Sequence, residues 1–423
     1  MDFKKIKLKN GLRVILVPEK TAKTAAIFVL VGVGSKYETK ALNGISHFLE
    51  HLFFKGTKKR PTALKIAETL DRVGGSYNAF TSKEMTGYWA KVSSEHLDLA
   101  LDFVSDIFLN SKLEQKEIAK EKGVILEEIN MYLDSPRQYV GELWEDVLYG
   151  DQPAGRDTIG TKENILKFKK NDFVNYLKNN YSSKNTIICA AGKFFEKQLL
   201  AQIKNKFKGM AISPAPLKSG VIERQTTPQV LLRFKQTDQT HLCLGFRGFG
   251  LNSEKRFAQE VLSVLLGGNM SSRMFSVVRE KSGLAYYVHT SSEDYTDSGY
   301  LVTQAGVPNL KTKEAIVLML KEYSKLKTTD ISKEELKKAK DYINGSMVLG
   351  LESSDKLASF FASQEILENK ILTPSEIKAI INKISPSDLK NIAKEIFTKQ
   401  NLNLALIGPH KNKGELEAIL NNF

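Results

Sequence analysis

Apolar positions recur along this chain with two periods, one of about two residues and one between three and four, and the alternation between them outlines its elements. In the first half, GLRVILV and TAAIFVLVG read as strands. The apolar run AAIFVLVGVG ends in glycines and falls well short of the roughly 18 residues that cross a bilayer, so it predicts a buried strand and no membrane span. ISHFLEHL then takes a helical period. NAFTSKEMTGYWAKV, after a Gly-Gly turn, reads as one further strand, and HLDLALDFVSDIFL and LEQKEIAKEKGVILEEINMYL read as helices. KGMAISPAPLKSGVIERQ, near residues 208–225, breaks the periodicity with Pro, Ser and Gly. Beyond it the order returns: strands QVLLRF and HLCLGFRGFG, helix RFAQEVLSVLLGG, strands around GLAYYVHTSS and GYLVTQAGV, and helices KTKEAIVLMLKEYSKL and KEELKKAKDYINGSMVLGL. The pattern predicts an α+β fold: two homologous α/β-layer halves from internal duplication, residues 1–215 and 216–423, each a mostly antiparallel sheet packed against helices.

The helix ISHFLEHL carries the chemistry. At 100° per residue Ile45, Phe48, Leu49, Leu52 and Phe53 share one stripe, and His47, Glu50, His51 and Phe54 fall opposite. A solvated helix face is usually Lys, Glu and Gln, whereas this one holds two of the six histidines of the chain. Residues four apart lie on one face with Cβ atoms roughly 5–6 Å apart, so both imidazoles can reach one ion. H-x-x-E-H is the inverse of the commoner H-E-x-x-H zinc motif. A catalytic zinc usually takes three protein ligands and leaves a position for water, so a carboxylate is needed. LEQKEIAKEKGVILEEINMYL offers Glu114, Glu117, Glu121, Glu127 and Glu128, with an apolar stripe through Ile118, Ile125, Ile129 and Tyr132. Glu121 and Glu128 share an edge about 60–80° from the centre of that stripe, while Glu127 points nearly opposite, into solvent. Glu128 is therefore the expected third ligand for one zinc per chain. Glu50, beside the histidines, suits a general base for water activated by the metal, the chemistry of peptide-bond hydrolysis. The corresponding helix of the second half has no histidine or acidic cluster, which assigns the metal to residues 1–215 alone.

Composition narrows the alternatives. The chain has 423 residues, 42% hydrophobic and 26% charged, which is a globular balance long enough for two or three cores. A formal charge of +14 favours acidic partners in general, but the lysines are scattered, with no arginine-aromatic block, so no nucleic-acid partner is expected. The start, MDFKKIKLKNGLRVILVPEK, lacks the apolar core and cleavage site of a signal peptide, so the cytoplasm is the expected location. Cys189 and Cys243 sit singly in apolar runs and read as buried thiols, neither catalytic nor bridged.

With these residues in view, the sequence resembles the pitrilysin and insulysin superfamily of inverted-motif zinc peptidases, in its short branch similar to mitochondrial processing peptidase and its bacterial relatives. The resemblance runs over nearly the whole chain and rests on HFLEHLFFKGT, GGSYNAFTSKEMTGYW, EKGVILEEINMYLDSP and SSRMFSVVREKSGLAYYV. It implies His47, His51 and Glu128 as zinc ligands, Glu50 as base, and Glu121 as an acidic residue that orients a ligand histidine. Asn78, with Ala79 and Phe80, resembles the stretch that holds substrate backbone near the metal. Arg279 and Tyr286 resemble the pair by which the second half binds substrate and the oxyanion of the tetrahedral intermediate. Long members of the superfamily join four such domains around a closed chamber. A chain with two resembles the members that pair as dimers, here a homodimer because every catalytic position is filled, a heterodimer with a related subunit being the alternative. The function so implied is a zinc metalloendopeptidase acting on unfolded or short peptides. The rival is a non-catalytic assembly or peptide-binding subunit of the same fold, a kind of member that typically loses H-x-x-E-H.

Overall fold

The apolar runs form two sheets in a computed structural model that describes residues 2–423. The first contains β1 (Lys4–Lys7), β2 (Arg13–Pro18), β3 (Thr24–Val31), β4 (Ser76–Thr81), β5 (Thr86–Ser93) and β6 (Thr186–Gly192), in the order β1-β2-β6-β3-β5-β4. The second contains β7 (Gln229–Phe234), β8 (Gln239–Arg247), β9 (Tyr287–Asp294), β10 (Gly299–Pro308) and β11 (Leu402–Gly408), in the order β7-β11-β8-β10-β9. Each sheet has one parallel pair, β2/β6 and β7/β11, and is otherwise antiparallel. Without β1, the two orders are the same permutation of sequence rank. The fold is thus α+β with two homologous halves, as the repeated pattern predicts.

One element needs correction. NAFTSKEMTGYWAKV is a hairpin and not a single strand, with Thr81 paired to Thr86 and a turn over residues 82–85. Ser82 drives the turn: its N–H donates to the Met85 carbonyl at 2.9 Å, and its hydroxyl donates to the same oxygen at 2.9 Å. Such hydroxyl bonding competes with strand continuation. The consequence is that β4 is an open edge of the first sheet, β1 being the other.

The chain divides into two compact units, each of three segments: Met1–Asn130, Asp157–Ser219 and Val348–Thr373, then Met131–Arg156, Gly220–Met347 and Pro374–Phe423. In the first unit, helix Ser354–Glu368 buries Leu357, Ala358, Phe361 and Ala362 against Ile15, Phe28, Leu30 and Cys189 of the sheet. Its ends are tied by ion pairs: Lys91 to Asp355 at 2.8 Å, and Lys5 and Arg13 to the fully buried Glu365 at 2.7 and 3.2 Å. In the second unit, helix Pro136–Tyr149 buries Val140, Leu143, Trp144 and Leu148 against Cys243, Tyr300, Val302 and Ile407. Each sheet is therefore covered on one face by a helix drawn from the other half of the sequence. Cys189 and Cys243 are buried and unbridged. Among the described residues no helix is long and apolar enough to cross a membrane.

Candidate metal centre

Helix Ile45–Leu52 has only two turns, so its ends need outside support. Its N-cap, Gly44, has φ +99°, and a Cβ there would fall 2.7 Å from the Ile159 carbonyl oxygen, so glycine is required. Glycine has no capping side chain. The buried Glu38 carboxylate caps instead, accepting from the N–H groups of Gly44 and Ser46, each at 2.8 Å. Burial pushes Glu38 up in pKa, and the N–H donors oppose that. Below the cap, Ile45, Phe48, Leu49, Leu52 and Phe53 are buried, while His47, Glu50 and His51 are partly accessible on the opposite face.

Helix Gln115–Asp134 supplies the carboxylates. Ile118, Ile125 and Ile129 are buried, Glu121 is buried, Glu128 is half-buried and Glu127 is exposed. Glu128 Oε1 lies 3.7 Å from His47 Nε2, and its Oε2 lies 3.5 Å from His51 Nε2. Donor atoms of the three residues all fall within 4.8 Å of one another. In a tetrahedron with zinc bonds of about 2.0–2.1 Å, donors stand roughly 3.3–3.5 Å apart, so the group fits that ion after small adjustments. Tautomers fit as well. Glu121 Oε1 is 2.8 Å from His51 Nδ1, which puts the proton on Nδ1 and leaves the Nε2 lone pair turned to the site.

Electrostatics point the same way. Burial above all, then the neighbouring His51, pushes His47 down to about 3, so the ring is neutral as a metal ligand must be. Its Nδ1 is buried without a hydrogen-bond partner among the described residues, a cost of about 1–3 kcal/mol of the kind tolerated at functional sites. Burial also pushes Glu128 up, and a divalent cation among these donors would offset that penalty. Glu121 behaves oppositely. Although burial raises it, the His51 bond and Lys55, at 2.7 Å, hold it below its ordinary range. Burial raises Glu50 against a hydrogen bond from Thr81, whose Oγ donates to Glu50 Oε2 at 2.6 Å.

The edge strand β4 carries Asn78, exposed, Ala79, buried, and Phe80, half-buried. Asn78 Oδ1 accepts the Ala79 N–H at 2.9 Å. Arg279 and Tyr286 belong to the second unit. Arg279 lies on a π-helical turn, Phe275–Lys281, with its guanidinium 4.8 Å from the Phe275 ring centroid. Tyr286 precedes β9 by one residue and is 72% exposed. Three residues that brace the site escape the sequence reading: Glu38, which bonds the start of the histidine helix, Lys55, which pairs with Glu121, and Thr81, which bonds Glu50. Lys55 follows His51 by four, so continuing the helical period one turn further would have found it. No local pattern marks the other two.

Comparison with known proteins gives the family. Residues 13–162 match the model of insulinase, peptidase family M16, and residues 167–343 match that of the peptidase M16 inactive domain. The chain is 38% identical to YmxG of Bacillus subtilis (strain 168), named an uncharacterized zinc protease, over 97% of this chain and 99% of that one. It is 35% identical to an uncharacterized zinc protease of Rickettsia felis, over 98% and 99% of the two chains. The crystal structure of a protease from Helicobacter pylori superposes with a TM-score of 0.89 at 26% identity, covering 96% of this chain and 99% of that one. A Pseudomonas fluorescens structure described as a peptidase M16 inactive domain, at 15% identity and TM-score 0.89, covers 97% and 99% and shares the fold. With its inverted H-x-x-E-H helix and relatives of this identity over nearly its full length, the chain belongs to the insulinase peptidase family M16, within the pitrilysin and insulysin superfamily of zinc peptidases.

Proposed function

We propose that the protein is a zinc metalloendopeptidase that hydrolyses unfolded or short peptides, bound in extended form within a closed chamber. The observation that carries the reading is the meeting of two imidazole nitrogens and one carboxylate around a single point, with a second carboxylate, Glu50, on the same helix face. His47, His51 and Glu128 hold one zinc per chain. Zinc, when bound, lowers the pKa of a water to roughly 7 and polarises the carbonyl to be cleaved. Glu50 takes that proton and returns one to the departing amine. Glu121 holds the proton on His51 Nδ1, and Lys55 keeps Glu121 ionised. The open edge of β4 can bind an extended peptide by backbone hydrogen bonds, for which Asn78 releases the Ala79 N–H.

In the same reading residues 1–215 carry the catalytic group, and residues 216–423 contribute Arg279 and Tyr286 to substrate and oxyanion binding. The chain works as a homodimer in the cytoplasm, with a heterodimer as the alternative assembly. Incubation of the zinc-loaded protein with a mixed peptide library, with and without chelator, tests the reading. Internal cuts that chelator abolishes are expected. Cleavage that survives metal removal, or none in either arm, would overturn it.

A further inference from the structure

The base is held by a residue outside the metal motif. Glu50 reaches the site through a terminal carboxylate torsion that is intrinsically broad, so something must fix which oxygen faces the substrate. Thr81 supplies the only hydrogen bond to that carboxylate among the described residues, at 2.6 Å to Oε2, the length of a charge-assisted O–H···O⁻ bond. Oε1 is thereby left to accept a proton. Resting on the assignment of Glu50 as base, we propose that Thr81 is a positioning residue that selects Glu50 Oε1 as the proton-accepting atom.

The support behind Thr81 is unusually firm for an edge strand. Thr81 pairs with Thr86 at the closed end of the β4–β5 hairpin, and Thr86 is buried with its hydroxyl donating to the Val33 carbonyl at 2.8 Å. The turn is fastened from the other side by the N–H groups of Ser35 and Lys36, which donate to the Ser82 and Lys83 carbonyls at 3.1 and 2.8 Å. Gly34 packs so closely that a Cβ there would fall 2.1 Å from the Ser82 carbonyl oxygen. Within the turn, buried Glu84 pairs with buried Lys36 at 3.2 Å and with Lys218 at 2.5 Å. A β-branched side chain on such a backbone has few χ1 choices, so its hydroxyl stays aimed. The strand proposed to bind substrate thus ends in the residue that orients the base.

Thr81→Val keeps the shape and removes the donor. It should lower kcat about tenfold, in the range found for partners of active-site ligands, while KM stays within about twofold and zinc content and thermal midpoint stay at wild-type values. Thr81→Ser, which restores the donor, should recover kcat to within about threefold of wild type. Unchanged kcat in Thr81→Val, a loss confined to KM, a loss of zinc, or a serine variant as slow as the valine one would each overturn the proposal. Wild-type protein with no chelator-sensitive peptide hydrolysis would instead overturn the assignment of the base itself, and the two failures are told apart by that control.

Discussion

At the scale of residues, the site separates neighbours that differ only in direction. Glu127 and Glu128 are adjacent on one helix, but Glu127 is exposed and only Glu128 reaches the two imidazoles. Glu128→Gln should therefore strip zinc from the protein and Glu127→Gln should leave it bound, as metal analysis of the dialysed variants will show. Glu50→Gln should keep its zinc and lose about 10² to 10⁴ in kcat, because an amide cannot take the water's proton. A third prediction concerns the second unit, where burial first, then the Asp294 carboxylate, pushes Glu260 up to about 7. Between its unfolded value of 4.5 and about 7, the folded state binds the proton more tightly, so this group favours folding below pH 4.5 and that contribution is lost as pH rises through 7. Glu260→Gln should accordingly raise the thermal midpoint at pH 8 and change it little at pH 4, as melts at both pH values will test.

At the scale of elements, a short helix can serve as a platform for His47 and His51 because tertiary contacts replace what two turns cannot supply. Glu38 caps its first turn, and its buried face is part of the core. The exchanged helix Ser354–Glu368 matters for a different reason, since it is the lid of the first sheet's apolar face. Phe361 is fully buried there, 5.1 Å from the Phe3 ring, and Phe361→Ala should cost about 3–5 kcal/mol in a denaturant titration. Local pattern did locate most of these elements. It placed helix Ile45–Leu52 and sorted the inner from the outer side of Gln115–Asp134, because both are matters of 3.6-residue period. It ran β4 and β5 together, because Ser82 breaks the strand by a hydrogen bond that leaves no mark on apolar alternation.

At the scale of the whole molecule, the covalent order and the compact units do not coincide. Residues 1–215 by themselves contain His47, His51, Glu128 and all six strands of the first sheet, but they lack the helix that covers Ile15, Phe28, Leu30 and Cys189. That fragment alone should expose an apolar sheet face, show no cooperative thermal transition and bind little zinc. Co-expression with residues 216–423 should restore both, by calorimetry and metal analysis; a fragment that melts cooperatively alone would show that the exchanged helix is dispensable. The same helix exchange ties the second sheet to Pro136–Tyr149.

By itself the sequence determined what repeats or lies close along the chain: two similar sets of elements, an H-x-x-E-H face on a helix, and the side of a second helix on which Glu121 and Glu128 lie. These follow from bond geometry and helical period, which act over a few residues. Only the tertiary structure decided which helix covers which sheet, that β4 is an open edge, that Glu38 caps the helix of His47 and His51, and that Thr81 reaches Glu50. Each of these joins groups brought together by packing. A buried apolar face takes any helix of the right shape, and a carboxylate takes any donor within reach, so neither partner's local sequence records the choice.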